Sequence, residues 1–307
     1  MNFPDNVKII INSLKISEKD FLGKGAESYV FAYEVNKIVK IYNAPFTNTK
    51  YLESLKVFYE QLDVYKAPID FPKIYEIKVA NKIVYTIERR LFGDIYTSVL
   101  PNLDTHHRHK LLKNFLNTSR VLSDMHPLET QFGNLMECEG KINSDSWWDF
   151  ISKKIDFHIE PIKDKAIAEV KDFENKVIKF KNFISELPEP HQALVHGDYY
   201  FTNILLSVDL SVSSLLDFSP HTVVGDHQMD IAGAMLFLEF DKLFDEDDIE
   251  FIHHEAEKIT ARNFDIYLTI YRMFYSIYFF NSYEFNTKLY RWCKNNLNNK
   301  KYWKDLI

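Results

Sequence analysis

The chain is poor in the residues that break or cross-link a backbone. Its 307 residues include only 8 glycines, 10 prolines and 2 cysteines. Cys138 and Cys293 lie far apart and have no metal-ligand spacing, so we expect two reduced thiols rather than a disulfide or a zinc site. Because few residues interrupt such a long chain, the composition favours helices joined by short linkers.

Excess positive charge and long apolar runs are also missing. The formal net charge of -7 disfavours binding to nucleic acid or to an anionic membrane surface, because both select clustered Lys and Arg. No apolar run approaches the roughly 20 residues that a membrane-spanning helix needs. Residues 1–15 interrupt a short apolar run with charges and lack a small-residue cleavage site. We therefore expect no signal peptide and a cytoplasmic protein.

Hydrophobic and aromatic residues are abundant. They make up 46% and 15% of the chain, with 25 Phe and 18 Tyr, which is enough for a sizeable core and argues against intrinsic disorder. The length suits two lobes better than one compact core. The change in pattern at Phe92 and Gly93 predicts an N-terminal lobe over residues 1–92. A larger, mainly helical lobe is predicted over residues 93–307.

The N-terminal part has the pattern of a small antiparallel sheet with one helix. Ser28–Tyr33 and Lys37–Tyr42 are β-type runs that predict a hairpin, and Ile74–Ala80 with residues 83–88 predicts a second one. Between them, residues 50–65 carry apolar side chains at near-helical spacing, which predicts a helix.

The C-terminal part is predicted to be mostly helical. Apolar spacing indicates helices over residues 111–122, 167–187 and 262–297, and the aromatic stripe on the last of these is expected to pack in the core. A short hairpin, residues 203–206 and 215–217, is predicted to lie between the helices. Trp147 and Trp148 are likewise expected to pack in the core, with a sugar-stacking or cation-binding surface as the alternative.

One acidic motif carries the main chemical signal. Residues 196–203 read His-Gly-Asp-Tyr-Tyr-Phe-Thr-Asn, and Asp217-Phe218 follows a second apolar strand. Protein kinases place a catalytic Asp and a metal-binding Asn five positions apart, as Asp198 and Asn203 are here, and a second metal-binding Asp later. Asn203 and Asp217 offer the hard oxygen ligands that Mg2+ prefers. The alternative is that these three residues only cap loops and turns.

This motif resembles that of the aminoglycoside phosphotransferase and choline kinase family of small-molecule kinases, because Gly197 replaces the arginine of protein kinases and no glycine follows Asp217-Phe218. The resemblance implies an α+β, two-lobed protein-kinase-like fold, with a small antiparallel-sheet N-lobe and a larger, mainly helical C-lobe. It also implies that ATP or GTP, with Mg2+, donates its γ-phosphate to a hydroxyl of a small molecule. An aminoglycoside-like antibiotic or a related amine or sugar metabolite is expected, and choline, fructosamine or methylthioribose kinase activity remains open.

The resemblance also assigns roles around the motif. Asp198 would be the catalytic base, and Asn203 and Asp217 would hold the metal. His196 is expected to be buried and to brace the catalytic loop. Asp230, in the segment 225–232, would cap a helix or brace the same loop.

The resemblance implies a nucleotide that lies between the lobes, with its candidate binding residues in the first lobe. Residues 21–28 look like the family's phosphate loop, with Gly23, Gly25 and Ser28 as its candidate binding residues, although an ordinary hairpin turn is the alternative. An adenine would pair with the linking segment over residues 87–91, which includes Glu88 and Arg90.

Lys40 is the candidate phosphate-binding cation. It lies inside the apolar run Ile38-Val39-Lys40-Ile41, where an unpaired ammonium would be costly. Nucleotide phosphates and a helix glutamate would balance its charge. Glu53 is the first choice for that glutamate and Glu60 is the reserve.

Two other classes of protein remain as alternatives. One is a catalytically silent kinase-like protein that binds nucleotide or a partner, and the other is a helical interaction protein whose motifs are coincidental. The expected partners are a nucleotide and a small-molecule substrate, without nucleic acid or membrane, for a monomer or homodimer.

Overall fold

The computed structural model describes residues 3–25, 27–43, 48–125, 131–260, 263–304 and 306. The chain divides into two compact units. The first unit comprises Met1–Ile95, Met136–Cys138 and Ile204–Ser219, and the second comprises Tyr96–Leu135, Glu139–Asn203 and Pro220–Ile307. The lobe boundary at residues 92 and 93 stays a prediction.

Helices and strands alternate early in the chain, and helices dominate later. The strands are β1 (Phe21–Lys24), β2 (Ser28–Tyr33), β3 (Lys37–Tyr42), β4 (Ile74–Ala80), β5 (Ile83–Arg89), β6 (Phe132–Asn134), β7 (Asn143–Ser144), β8 (Ala193–Val195), β9 (Ile204–Leu206), β10 (Val212–Leu215) and β11 (Val223–Gly225). The α-helices are α1 (Asp5–Ser13), α2 (Thr49–Leu62), α3 (Tyr96–Val99), α4 (Thr105–Ser123), α5 (Trp147–Ile159), α6 (Lys163–Glu169), α7 (Phe173–Ser185), α8 (Gln228–Leu236), α9 (Glu246–Ile259), α10 (Phe264–Tyr278), α11 (Thr287–Asn298) and α12 (Lys300–Lys304).

The first unit is built on an antiparallel sheet with the strand order β1-β2-β3-β5-β4. Both predicted hairpins are confirmed, as is helix α2 between them. Asn81 and Lys82 join β4 to β5 with positive φ angles of 51° and 63°. Two such residues form the turn that matches the natural twist of a hairpin.

The two faces of this sheet have different chemistry. Val39 and Ile41 of β3 and Ile87 of β5 pack with α1 in one hydrophobic cluster. Because side chains alternate along a strand, Lys40 and its cross-strand partner Thr86 lie on the opposite face. The face opposite α1 therefore carries Lys40 and Thr86 among apolar residues such as Val30 and Ile38.

The second unit is mainly helical and contains a small antiparallel sheet with the order β7-β6-β11-β8. Trp147 and Trp148 are buried in α5, as predicted. Helix α9 begins with a capping box, in which the side chains of Asp245 at the N-cap and Asp248 in the first turn each accept a hydrogen bond from the other's backbone N–H. None of the described helices is both long and apolar enough to cross a membrane.

Three boundary predictions need correction. The single helix predicted over residues 167–187 is wrong, because Asp172 adopts a left-handed conformation with φ 57° and separates α6 from α7. The helix predicted over residues 262–297 is also divided, since a 3-10 segment precedes Asn286, which caps α11. The hairpin of β9 and β10 exists, but its second strand ends at Leu215 rather than at Asp217.

Candidate active site

The catalytic-loop candidates lie directly after β8 in the second unit. Asn203 ends a short 3-10 turn, and its Nδ2 donates hydrogen bonds to the backbone O of Asp198 at 2.9 Å and to Asp198 Oδ2 at 3.0 Å. The five-residue spacing thus brings the two side chains together. Because Nδ2 faces Asp198, the amide oxygen Oδ1 of Asn203 is the atom left to act as a metal ligand.

Asp230 on α8 holds the start of this loop. Its carboxylate oxygens accept hydrogen bonds from the backbone N of His196 at 2.7 Å and of Gly197 at 2.9 Å. The buried His196 ring in turn accepts a hydrogen bond at Nδ1 from the backbone N of Asp198 at 3.3 Å. Burial raises the pKa of Asp230 to about 6, against the opposing effects of His196 and the two N–H donors.

Gly197 is required by the local geometry. Its φ is +79°, and a Cβ there would lie 2.1 Å from the backbone O of His221. The hydroxyl of Thr222 also donates a hydrogen bond to the backbone O of His196 at 3.1 Å, so the chain at His221 and Thr222 lies directly beside the catalytic loop. A residue with a side chain does not fit at position 197, which explains why no arginine precedes Asp198.

Two tyrosines after Asp198 anchor the other side of the loop. Tyr199 is buried and donates its hydroxyl to the backbone O of Phe115 at 2.7 Å. The hydroxyl of Tyr200 donates to Asp241 Oδ2, which also accepts from Tyr96 at 2.8 Å. Sequence reasoning missed these anchors, although the Tyr-Tyr pair next to the acid was a visible signal.

In the first unit, Lys40 contacts Asp217. The Lys40 Nζ lies 3.1 Å from Asp217 Oδ1, and the two side chains are 24% and 61% exposed. Asp217 follows β10 with a left-handed φ of 52°. Burial lowers the pKa of Lys40, but Asp217 and further acidic and phenolic groups, Glu88 among them, outweigh this and raise it well above its ordinary value.

The structure does not bring Lys40 together with Glu53. Glu53 and Glu60 are both exposed on α2, and neither forms an ion pair within the described part of the chain. The buried face of α2 carries Leu52, Leu55 and Tyr59 instead. The spacing of residues predicts where α2 lies along the chain but not how the helix is rotated, so it does not show which of its glutamates faces Lys40.

Glu88 lies in strand β5 rather than in a linking segment. Its side chain is buried, and its Oε1 accepts a hydrogen bond from the Thr86 hydroxyl. Burial raises the pKa of Glu88 above its ordinary value, and the positive charge of Lys40 and the Thr86 hydrogen bond offset only part of this rise. Arg90 follows the strand, with its guanidinium 5.1 Å from the centre of the Phe92 ring.

The glycine loop leaves space beside its backbone. A Cβ at Gly23 would have no described atom within 4 Å, so packing does not require a glycine there. Gly25 donates its N–H to the backbone O of Ser28 at 2.9 Å, and Ser28 is buried at the start of β2. Ala26, between them, lies outside the described residues.

The fold is shared with solved structures of aminoglycoside phosphotransferases. A thermostable mutant of aminoglycoside phosphotransferase APH(4)-Ia, in a ternary complex with ADP and hygromycin B, has a similar structure, with a TM-score of 0.70, 16% identity and 97% of both chains covered. The GDP complex of wild-type aminoglycoside 2'-phosphotransferase-IIIa has a TM-score of 0.64 at 12% identity, with both chains fully covered. The gentamicin complex of APH(2")-IIa has a TM-score of 0.62 at 16% identity, also with full coverage. These likenesses confirm the predicted α+β, protein-kinase-like fold class.

The family follows from the sequence itself. The fructosamine kinase family matches residues 100–293, which is more than half of the chain. The chain therefore belongs to the fructosamine kinase family, and it is a nucleotide-binding phosphotransferase that acts on hydroxyl groups. The predicted membership in the small-molecule kinases is confirmed. A comparison with curated proteins finds no match.

Proposed function

We propose that this protein transfers the γ-phosphate of ATP or GTP, with Mg2+, to a hydroxyl of a glycated amine of the fructosamine type. The observation that carries the proposal is the hydrogen-bonded pair of Asp198 and Asn203, which lies within the segment that matches the fructosamine kinase family. A glycated amine joins a sugar, which supplies the hydroxyl, to an amine. It is thus one of the amine- or sugar-bearing acceptors that the sequence predicts.

Asp198 acts as the base in this proposal. The acceptor hydroxyl oxygen forms a bond to the γ-phosphorus, the bond to the bridging oxygen breaks, and the hydroxyl proton passes to the Asp198 carboxylate. One hydrogen bond from Asn203 fixes the carboxylate oxygen Oδ2 of Asp198, which leaves Oδ1 for the hydroxyl. Asp230, through the backbone of His196 and Gly197, keeps the loop in place while the proton moves.

Asn203 and Asp217 are the proposed metal ligands. The amide oxygen of Asn203 and the largely exposed carboxylate of Asp217 are hard donors that fit Mg2+. When bound, Mg2+ neutralises charge on the nucleotide phosphates. We infer that Lys40 pairs with the α- and β-phosphates, and that Gly23, Gly25 and Ser28 border the phosphates beside the open backbone of the loop.

Asp198→Asn is the direct test of this mechanism. General base catalysis contributes roughly 10²- to 10⁴-fold, so kcat should fall by about that factor. The dissociation constant for ATP should stay within about twofold of the wild type, because the variant keeps the shape of the side chain. Asp164→Asn, on the exposed face of α6, is the matched control and should keep full activity. Turnover by Asp198→Asn equal to that of the wild type would remove Asp198 as the base.

A nucleotide-consumption assay across acceptors tests the substrate class. Glycated lysine should be phosphorylated with a higher kcat/KM than choline or methylthioribose. Aminoglycosides are the second candidate, since the similar solved structures include complexes of aminoglycoside phosphotransferases with hygromycin B and gentamicin. A clear preference for an aminoglycoside would favour that candidate. Thermal stabilisation by ATP and Mg2+ without transfer to any acceptor would instead indicate a catalytically silent nucleotide-binding protein.

A further inference from the structure

A buried carboxylate shares the face of the first unit's sheet that carries Lys40. In the register of β3 and β5, Lys40 pairs with Thr86, and Ile38 pairs with Glu88. Lys40, Thr86 and Glu88 therefore share one face of the sheet, with Glu88 diagonally across from the lysine. Long side chains can interact across such a diagonal.

The burial of Glu88 requires a compensating charge. The residue is only 6% exposed, and an ionised carboxylate removed from water is costly unless it is hydrogen-bonded and paired with a cation. The Thr86 hydroxyl supplies one hydrogen bond. Lys40, which lies diagonally across from Glu88 in the register of β3 and β5, is the cation that opposes this cost.

The other candidate acids are less suited to fix the position of Lys40. Glu53 and Glu60 are exposed on α2, and Asp217, which contacts Lys40 at 3.1 Å, is 61% exposed. In the proposed function Asp217 also serves the metal, so its carboxylate is shared. Glu88 is held in the sheet by a hydrogen bond and is shielded from solvent, so its position does not depend on a ligand.

We propose that Glu88 is a positioning residue: its buried carboxylate, fixed by Thr86, orients the Lys40 ammonium towards the nucleotide phosphates in the role first predicted for a helix glutamate. This inference rests on the proposed function, because it assumes that Lys40 binds phosphate. It places the lysine's carboxylate partner on the neighbouring strand β5 instead of on α2.

Neutral substitutions of the three glutamates test the choice of partner. Glu88→Gln keeps the size of the side chain and an acceptor for Thr86, but removes the charge. We expect a rise of about tenfold in KM for ATP, the size of a typical charge-assisted contact. Glu53→Gln and Glu60→Gln are the matched controls and should leave KM within about twofold. An effect in Glu53→Gln or Glu60→Gln with none in Glu88→Gln would overturn the inference.

A double-mutant cycle with Lys40→Met separates positioning from a general structural role. If Glu88 acts through Lys40, Glu88→Gln should cause no further loss of ATP affinity once the lysine is absent. Equal losses from Glu88→Gln in both backgrounds would show that the glutamate does not act through Lys40. Wild-type ATP affinity and activity in Lys40→Met alone would instead refute the phosphate-binding role of Lys40 in the proposed function.

Two milder variants keep the test decisive if Glu88→Gln folds poorly. Glu88→Asp retains the charge on a shorter side chain, and Thr86→Val removes the hydrogen bond that fixes the carboxylate. Both should raise KM for ATP by a few-fold, with thermal unfolding used to confirm that each variant is folded. Unchanged KM values in both would overturn the inference.

Discussion

The carboxyl group of Asp230 should make the stability of the protein depend on pH in an unusual direction. Its pKa is raised from 3.8 to about 6 by burial on α8. A raised pKa in the folded state means that the folded protein holds this proton more tightly than the unfolded chain. The stability that the protonated group contributes is complete below about pH 4 and is lost as the pH rises through 6.

The magnitude follows from the size of the shift. Two pKa units correspond to about 3 kcal/mol, at roughly 1.4 kcal/mol per unit. Asp230→Asn cannot titrate, so the free energy of unfolding of the wild type should fall by about 3 kcal/mol relative to the variant between pH 4 and pH 7. Both proteins share the other titrating groups, whose contributions cancel in the difference.

Urea unfolding, followed by tryptophan fluorescence at several pH values, measures this difference. The variant should also lose activity at pH 7, because one amide oxygen replaces two carboxylate oxygens that accept from His196 and Gly197. The reasoning would be refuted if the free energy of unfolding depended on pH in the same way in both proteins, or if that of the wild type rose relative to the variant with increasing pH.

Three further substitutions test other parts of the account. Gly197→Ala should lower the free energy of unfolding by about 3 kcal/mol and abolish turnover, because φ is +79° and the new Cβ would meet the backbone O of His221. An unchanged melting temperature would contradict this prediction. Arg108→Ala should lower the free energy of unfolding, measured by chemical denaturation, by about 3 kcal/mol, because it leaves the buried Asp248 without its ion-pair partner. The double variant Arg108→Ala with Asp248→Ala should lose less stability than the sum of the two single variants. Glu169→Gln should destabilise the protein at pH 7 but not near pH 2. Hydrogen bonds from Lys294, Tyr290 and Lys165 lower the pKa of Glu169 to about 2, so its stabilising charge is lost only near that pH. The same loss of unfolding free energy at both pH values would argue against those contacts.

Local signals in the sequence predicted local structure well. The hairpin of β4 and β5 could be predicted because Asn81-Lys82 separates two apolar runs and asparagine tolerates the positive φ that such a turn needs. The five-residue spacing of Asp198 and Asn203 likewise predicted that their side chains meet, since a short turn joins them. In each case a few neighbouring residues determine the geometry.

Features that depend on distant contacts could not be predicted in the same way. The helical apolar spacing continues through Val170 and Phe173, so it did not reveal that Asp172 breaks the helix. The neighbours of Lys40 depend on the pairing of β3 with β5 and on the rotation of α2, and neither is visible in a periodic pattern. Asp241, as the anchor of Tyr200, lies 41 residues away and follows no recognisable motif.

Metal binding at residues 203 and 217 is the central claim, and titration with Mn2+ in the presence of a non-hydrolysable ATP analogue tests it most directly. Electron paramagnetic resonance should detect nucleotide-dependent Mn2+ binding to the wild type and to the Asp164→Asn control. Binding should be at least about tenfold weaker in Asn203→Ala, which removes an oxygen ligand, and in Asp217→Asn, which replaces a charged carboxylate ligand with a neutral amide. Equal Mn2+ affinity in all four proteins would contradict the account.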